Sequence, residues 1–111
     1  MQLASFEDFQ NVDIRVGTIV QVEPFPEANR SAYKLKIDFG SLGEKTSSAQ
    51  ITARYSMEEL KGLQVLAVVN FPVKRIAGFK SEVLVLGVPN DEKEIVLLKP
   101  ENELPNGSVV R

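Results

Sequence analysis

An all-β fold, a small barrel of short strands with one helix set among them, is what this sequence predicts. Three observations point there. Apolar and polar residues alternate over residues 12–22 and again over 33–39. Two Val-rich apolar runs, "LQVLAVVNF" and "SEVLVLGV", are too short for comfortable helices. Only one internal segment, residues 56–62, carries helical punctuation. A chain of 111 residues with 43% hydrophobic content suits a single domain, residues 1–111, around one core.

The elements follow in order. In "SFEDF", residues 5–9, Ser5 is a candidate N-cap with Asp8 three residues on, and Phe6 and Phe9 lie one helical turn apart. A short amphipathic turn is expected. From Val12 the period is two: Val12, Ile14, Val16, Val20 and Val22 fall on one face, and Asp13, Arg15, Gln21 and Glu23 on the other. Gly17 interrupts that alternation as a bulge or bend would, so one long, bent first strand is expected. "EPFPEANRSA" is a loop by its two prolines and small polar residues. Tyr33, Leu35, Ile37 and Phe39 then alternate with Lys34, Lys36 and Asp38, a second strand with a basic outer face.

The glycines of "FGSLGEKTSS" read as turn residues, and "SSAQIT" as a weaker third strand with Ala49 and Ile51 inward. Ser56 to Glu59 forms a capping box and Gly62 a C′ position, which sets a short helix between strands three and four. The two Val-rich runs predict central strands covered on both sides, joined by a basic, glycine-bearing connection. "EIVLLKP" gives another short strand, and "ELPNGSVVR" a turn leading into a last one. Short strands with one small helix between the third and fourth form the pattern of the five-stranded oligonucleotide- and oligosaccharide-binding barrel, the OB fold.

Composition narrows the chemistry. Without cysteine there are no disulfides or thiolate metal sites, and without histidine the commonest general base and metal ligand are gone. No phosphate-cradling glycine loop appears. No catalytic residue, metal or cofactor is therefore expected. No run of about 18 apolar residues is present, and the N-terminus lacks a basic start and apolar stretch. The expectation is a soluble, cytoplasmic protein with no membrane insertion. Net charge is −2, the wrong sign for a surface that grips phosphates throughout. Residues 31–87, however, carry a net +3, against −3 for residues 1–30 and −2 for residues 88–111.

"VDIRVGTIVQVEPFPEA", "YKLKIDFG" and the long segment from Ser47 to Gly87 resemble the tRNA-binding OB domain found at the C-terminus of some methionyl-tRNA synthetases and in small stand-alone dimers. Within that family the sequence also resembles an export-associated bacterial chaperone. The resemblance implies a homodimeric barrel that binds non-native or precursor polypeptides without ATP, with tRNA binding as the alternative. It departs from the tRNA-binding members at Pro24 to Leu35, where "EANRSAYKL" replaces a His-Pro-x-Ala-Asp-x-Leu stretch, and at Ser81 to Leu84, where they carry Ser-x-Gly-Met. An acid at Glu82 disfavours a nearby phosphate.

Candidate binding residues fall in two groups. Lys34 and Lys36 share one face of the second strand, with Arg15 as a candidate neighbour on the first; they form either a cationic platform or the polar half of a surface strand. Asn70, Lys74, Arg75, Phe79, Lys80, Ser81 and Glu82 lie in or beside the basic connection. Phe79 follows Gly78 on a loop, placed to stack a base, fill against a peptide side chain, or fold back as a lid. The mixed charge around it suits a polypeptide better than a phosphate track. With the barrel core at about 12–88, the flanking segments 1–11 and 89–111 supply surplus apolar material. Phe6, Phe9, Ile95, Leu97 and Val109 are the candidate dimer contacts.

Overall fold

In the computed structural model, which describes residues 1–111, a twisted antiparallel sheet curls into a nearly closed OB-like barrel. Its strands are β1 (Ile14–Pro24), β2 (Tyr33–Asp38), β3 (Glu44–Ala49), β4 (Gln64–Val68) and β7 (Leu84–Val85), in the order β3-β2-β1-β4-β7. Between β4 and β7 stands a small hairpin of β5 (Lys74–Ile76) and β6 (Phe79–Ser81); after β7 comes a second, of β8 (Gly87–Pro89) and β9 (Ile95–Leu97). Two short helices, α1 (Phe6–Asn11) and α2 (Met57–Leu60), precede β1 and β4. Both begin with the expected reciprocal capping boxes, Ser5 with Asp8 and Ser56 with Glu59. Neither helix is long and apolar enough to cross a membrane.

β1 is the hub. Its first half pairs with β4, from Ile14 to Thr18, and its second half with β2, from Thr18 to Pro24. The irregularity falls at Val20, between Ile19 and Gln21, and not at Gly17. That extra residue lets Val22, three positions after buried Ile19, pack against the same core, whereas Val16 is buried outside that cluster and Val20 is only partly covered. Gly17 serves a different need. A Cβ there would lie 2.6 Å from Ile37 Cγ2 and 2.7 Å from Phe39 Cε1, so β2 and its exit approach β1 too closely for any side chain.

The β2 alternation places Leu35, Ile37 and Phe39 in the core with Ile19, Val65, Ala67, Leu60 and Val83. Leu60 of α2 plugs one end of the barrel. The third strand is real but begins earlier than expected, with Ser47 and Ala49 inward and Ile51 buried just beyond its end. The "SEVLVLGV" run is not a central strand. It supplies Val83 to the core, then the two-residue edge strand β7 with Leu84 49% exposed, then β8. The last predicted strand is reduced to a single bridge, Arg15 with Val109. Around it the Val16 N–H donates to Ser108 O and the Val110 N–H to Ile14 O, filling the β1 edge that β2 leaves open.

The barrel closes through side chains as much as through backbone. The N–H groups of Glu82 and Val83 both donate to Thr46 O, at 2.8 and 3.1 Å. In return Thr46 N and Oγ1 donate to Glu82 Oε1, and Ser48 N donates to Ser81 Oγ at 3.0 Å. Two side chains thus stand where a paired strand would offer carbonyls.

Two outcomes follow. Glu82→Ala leaves the part-buried Thr46 N–H unmatched, while the Thr46 hydroxyl keeps Lys80 O, and is expected to lower unfolding free energy by about 1–3 kcal/mol in urea denaturation. Glu82→Gln, which keeps an acceptor oxygen, is expected to lose less. The Glu59 carboxyl is held below its ordinary value by the Ser56 backbone N–H and, second, by the Ser56 hydroxyl. A lowered folded-state value stabilises above the ordinary carboxylate range, and the gain disappears as pH falls through the folded-state value. Thermal unfolding against pH should show that this acid-range loss is smaller in Glu59→Gln.

Candidate functional site

Two loops and one strand meet on the open face of the barrel. Pro24 ends β1 and Pro26 restricts the following turn, which drives Phe25 back against the barrel, where it is buried. From the other side, the β5–β6 hairpin turns at Ala77 and Gly78, both with positive φ, 47° and 81°, and delivers Phe79. The two rings meet edge to face, 5.4 Å between centroids. Lys34 Nζ lies over both, 4.8 Å from the Phe25 centroid and 5.4 Å from that of Phe79. Phe79 is therefore neither a free ligand arm nor a full lid. It is a half-buried ring held by an aromatic partner and a cation.

A shallow pocket of about 190 Å³ opens beside Phe79, floored by the outward side chains of three strands. Register explains the grouping: Lys36 stands between Gln21 and Thr46, and Lys34 between Glu23 and Ser48. Gln21 donates to a single carboxylate oxygen of Glu23, the one acid there. Arg15 does not join the two lysines. It sits at the other end of β1, where its guanidinium donates to both Asp13 oxygens and to Gly107 O. The Asp13 hydrogen bond raises the Arg15 pKa further, against a smaller opposing effect of desolvation. This is the only ion pair of the molecule, so Lys34, Lys36, Lys74, Arg75 and Lys80 have no carboxylate partner.

Other residues of the hairpin line a larger open groove of about 440 Å³. Strand alternation puts Arg75 and Lys80, which are paired, on the outer side of the hairpin, and Lys74, Ile76, Phe79 and Ser81 on the inner side. Lys74, Ile76 and Ser81 line the groove with Gln50, Ile51, Leu84 and Ile95. Ser81 and Glu82 also have structural duties, since their side chains close the barrel.

Asn70 lies elsewhere. Its Oδ1 accepts from Asp13 N and its Nδ2 donates to Asn11 O, tying the end of β4 to the α1–β1 junction. There it borders a depression of about 550 Å³ with Phe6, Phe9 and Val109. Phe6 is 71% exposed and its ring lies 6.2 Å from that of Phe9. Ile95 and Leu97 are not part of that face. Leu97 is only 7% exposed and belongs to the core of its own barrel, so its side chain has little surface to offer a second copy, and Ile95 packs against the same core.

Phe25, Thr46, Ile76 and Leu84 are candidate site residues that sequence reasoning missed. The signal for Phe25 was present: an aromatic between two prolines in a loop is no better placed for simple burial than Phe79. No three acidic, histidine or cysteine side chains converge to hold a metal ion.

Comparison with known proteins agrees with this architecture. The model of the putative tRNA binding domain matches residues 14–109. Methionine–tRNA ligases of Chlorobium chlorochromatii and Pyrococcus furiosus are each 38% identical, over 96% and 100% of this chain. The chain spans only 15% of the length of those ligases. Among solved structures, the chaperone CsaA of Bacillus anthracis superposes with a TM-score of 0.92 at 58% identity, covering 99% of this chain and 100% of that one. CsaA of Picrophilus torridus gives 0.92 at 48% identity, covering 98% and 100%. A whole-length barrel of the same topology, matched over residues 14–109 by the family model, establishes that the chain belongs to the putative tRNA-binding domain family.

Proposed function

We propose that this protein is an ATP-independent chaperone of the CsaA type that holds unfolded or precursor polypeptides, ahead of export, as a homodimer in the cytoplasm. The observation that carries the reading is the open groove beside the β5–β6 hairpin, lined mainly by apolar side chains and bordered by the outer edge of β3. A non-native segment has two things to offer such a surface: apolar side chains, and main-chain groups seeking partners. The whole-length likeness to two CsaA structures supports the same reading. For the second copy, exposed Phe6, Phe9 and Val109 around one depression are the favoured contact.

The test is a fluorescence-anisotropy titration with a labelled, permanently unfolded polypeptide at low and near-physiological salt. Binding should survive the salt. Leu84→Asp, at an exposed groove position, should weaken it about tenfold, the equivalent of about 1.4 kcal/mol. Absence of polypeptide binding at both salts would overturn the reading.

A second reading, structure-selective tRNA binding, is favoured by one arrangement: unpaired Lys34 and Lys36 beside Phe79 on the open face. It predicts that tRNA affinity falls steeply with salt. The log–log slope should shrink by about one for each lysine in Lys34→Glu and Lys36→Glu. Unchanged slopes would remove this face from tRNA recognition.

A further inference from the structure

The groove beside the hairpin carries a charge signature. Its lining includes a single ionisable side chain, Lys74, and no carboxylate. Lys74 is exposed and has no acid within ion-pair distance. The rest is small, polar-neutral or apolar, with Ile51, Ile76, Leu84 and Ile95 presenting the bulk of the hydrocarbon.

The backbone along one wall has a matching asymmetry. Antiparallel pairing points alternate residues of an edge strand outward, and on β3 these are Thr46 and Ser48, with Gln50 next in the same phase. The first two N–H groups are capped, by Glu82 Oε1 and Ser81 Oγ. The Gln50 N–H makes no main-chain hydrogen bond and lies in the groove wall, immediately beyond the point where the caps stop. An occupant in extended form can therefore continue the seam from Gln50 without breaking any existing ladder.

We propose that the groove selects, within unfolded polypeptides, extended apolar segments that carry an acidic side chain, the carboxylate meeting Lys74 while the backbone aligns with the β3 edge at Gln50. This rests on the polypeptide-binding reading and adds a specificity to it. An isolated cation on a neutral, carboxylate-free surface attracts an anion and repels another cation, so a segment with Lys or Arg at the same place is disfavoured. Lys74 is solvated, so the preference is modest and weakens with salt.

The experiment uses three fluorescein-labelled peptides of about nine residues, roughly 30 Å when extended. They are identical in a Val, Leu and Ser background except for a central Glu, Gln or Lys. Against the full-length protein at low salt, the Glu peptide should bind about three- to fivefold more tightly than the Gln peptide, and the Lys peptide most weakly. Lys74→Met should erase the difference, and Lys74→Glu should reverse the order. Far-ultraviolet circular dichroism and the melting temperature of each variant report whether the fold is kept, as expected at an exposed position. Equal binding of the three peptides overturns the charge selection while leaving polypeptide binding intact. Failure of all three peptides, with the unfolded polypeptide still bound, moves the binding site out of this groove. If neither peptides nor polypeptide bind, the underlying reading fails with it.

Discussion

The seam at Thr46 is the constraint on which the rest of the molecule depends. A five-stranded sheet has two edges, and here they are brought together without a regular ladder: one carbonyl receives two N–H groups, and the side chains of Ser81 and Glu82 answer the donors of β3. Main-chain pairing would have required several residues of β6 and β7 to run alongside β3. Side-chain capping needs only two. Ser81, the last residue of β6, is one of these caps, so the β5–β6 hairpin is anchored to β3 at its end and lends Phe79 to the aromatic pocket and Lys74, Ile76 and Ser81 to the apolar groove. Core burial follows from closure, because Val83, adjacent to the seam, reaches the same interior as Ile19, Leu35 and Ile37.

Much of this architecture is legible in the order of the amino acids. Strict alternation in β2, the two capping boxes and the glycine at the end of α2 depend on local stereochemistry, which sequence spacing reports directly. What escapes such a reading is whatever a distant partner decides. Gly17 has the pattern of a bend in β1, yet it answers the close approach of Ile37 and Phe39, and the irregularity lies at Val20. The "SEVLVLGV" run reads as uniformly central because its composition is uniform, whereas three successive structural roles divide it. The candidate site divides in the same way. Lys34, Lys36 and Phe79 do share a pocket, since strand period and loop position determine that much. Nearness in sequence draws Asn70 into the same group, but Phe71 and Pro72 carry the chain away, and its amide serves the α1–β1 junction.

The inner face of the hairpin contributes to two chemically distinct surfaces, through Phe79 to the pocket and through Lys74, Ile76 and Ser81 to the groove. On the pocket side, rings and lysines form a cationic, aromatic patch suited to flat or anionic groups. On the groove side, hydrocarbon and an open strand edge suit an extended chain. The family name and the chaperone likeness need not compete on structural grounds, because the two chemistries occupy cavities with separate linings, one with Phe79 and the other with Lys74, Ile76 and Ser81.

The sole ion pair has a consequence for how the protein responds to its medium. Arg15 and Asp13 are partly exposed, and no network of charges links the strands. Folding stability therefore rests on packing and hydrogen bonding, which charge screening barely touches, while the unpaired lysines and arginines remain fully subject to it. Ionic strength acts as a dial on the charged contacts of recognition: the scaffold keeps its shape while the reach of its surface charge is lengthened or shortened.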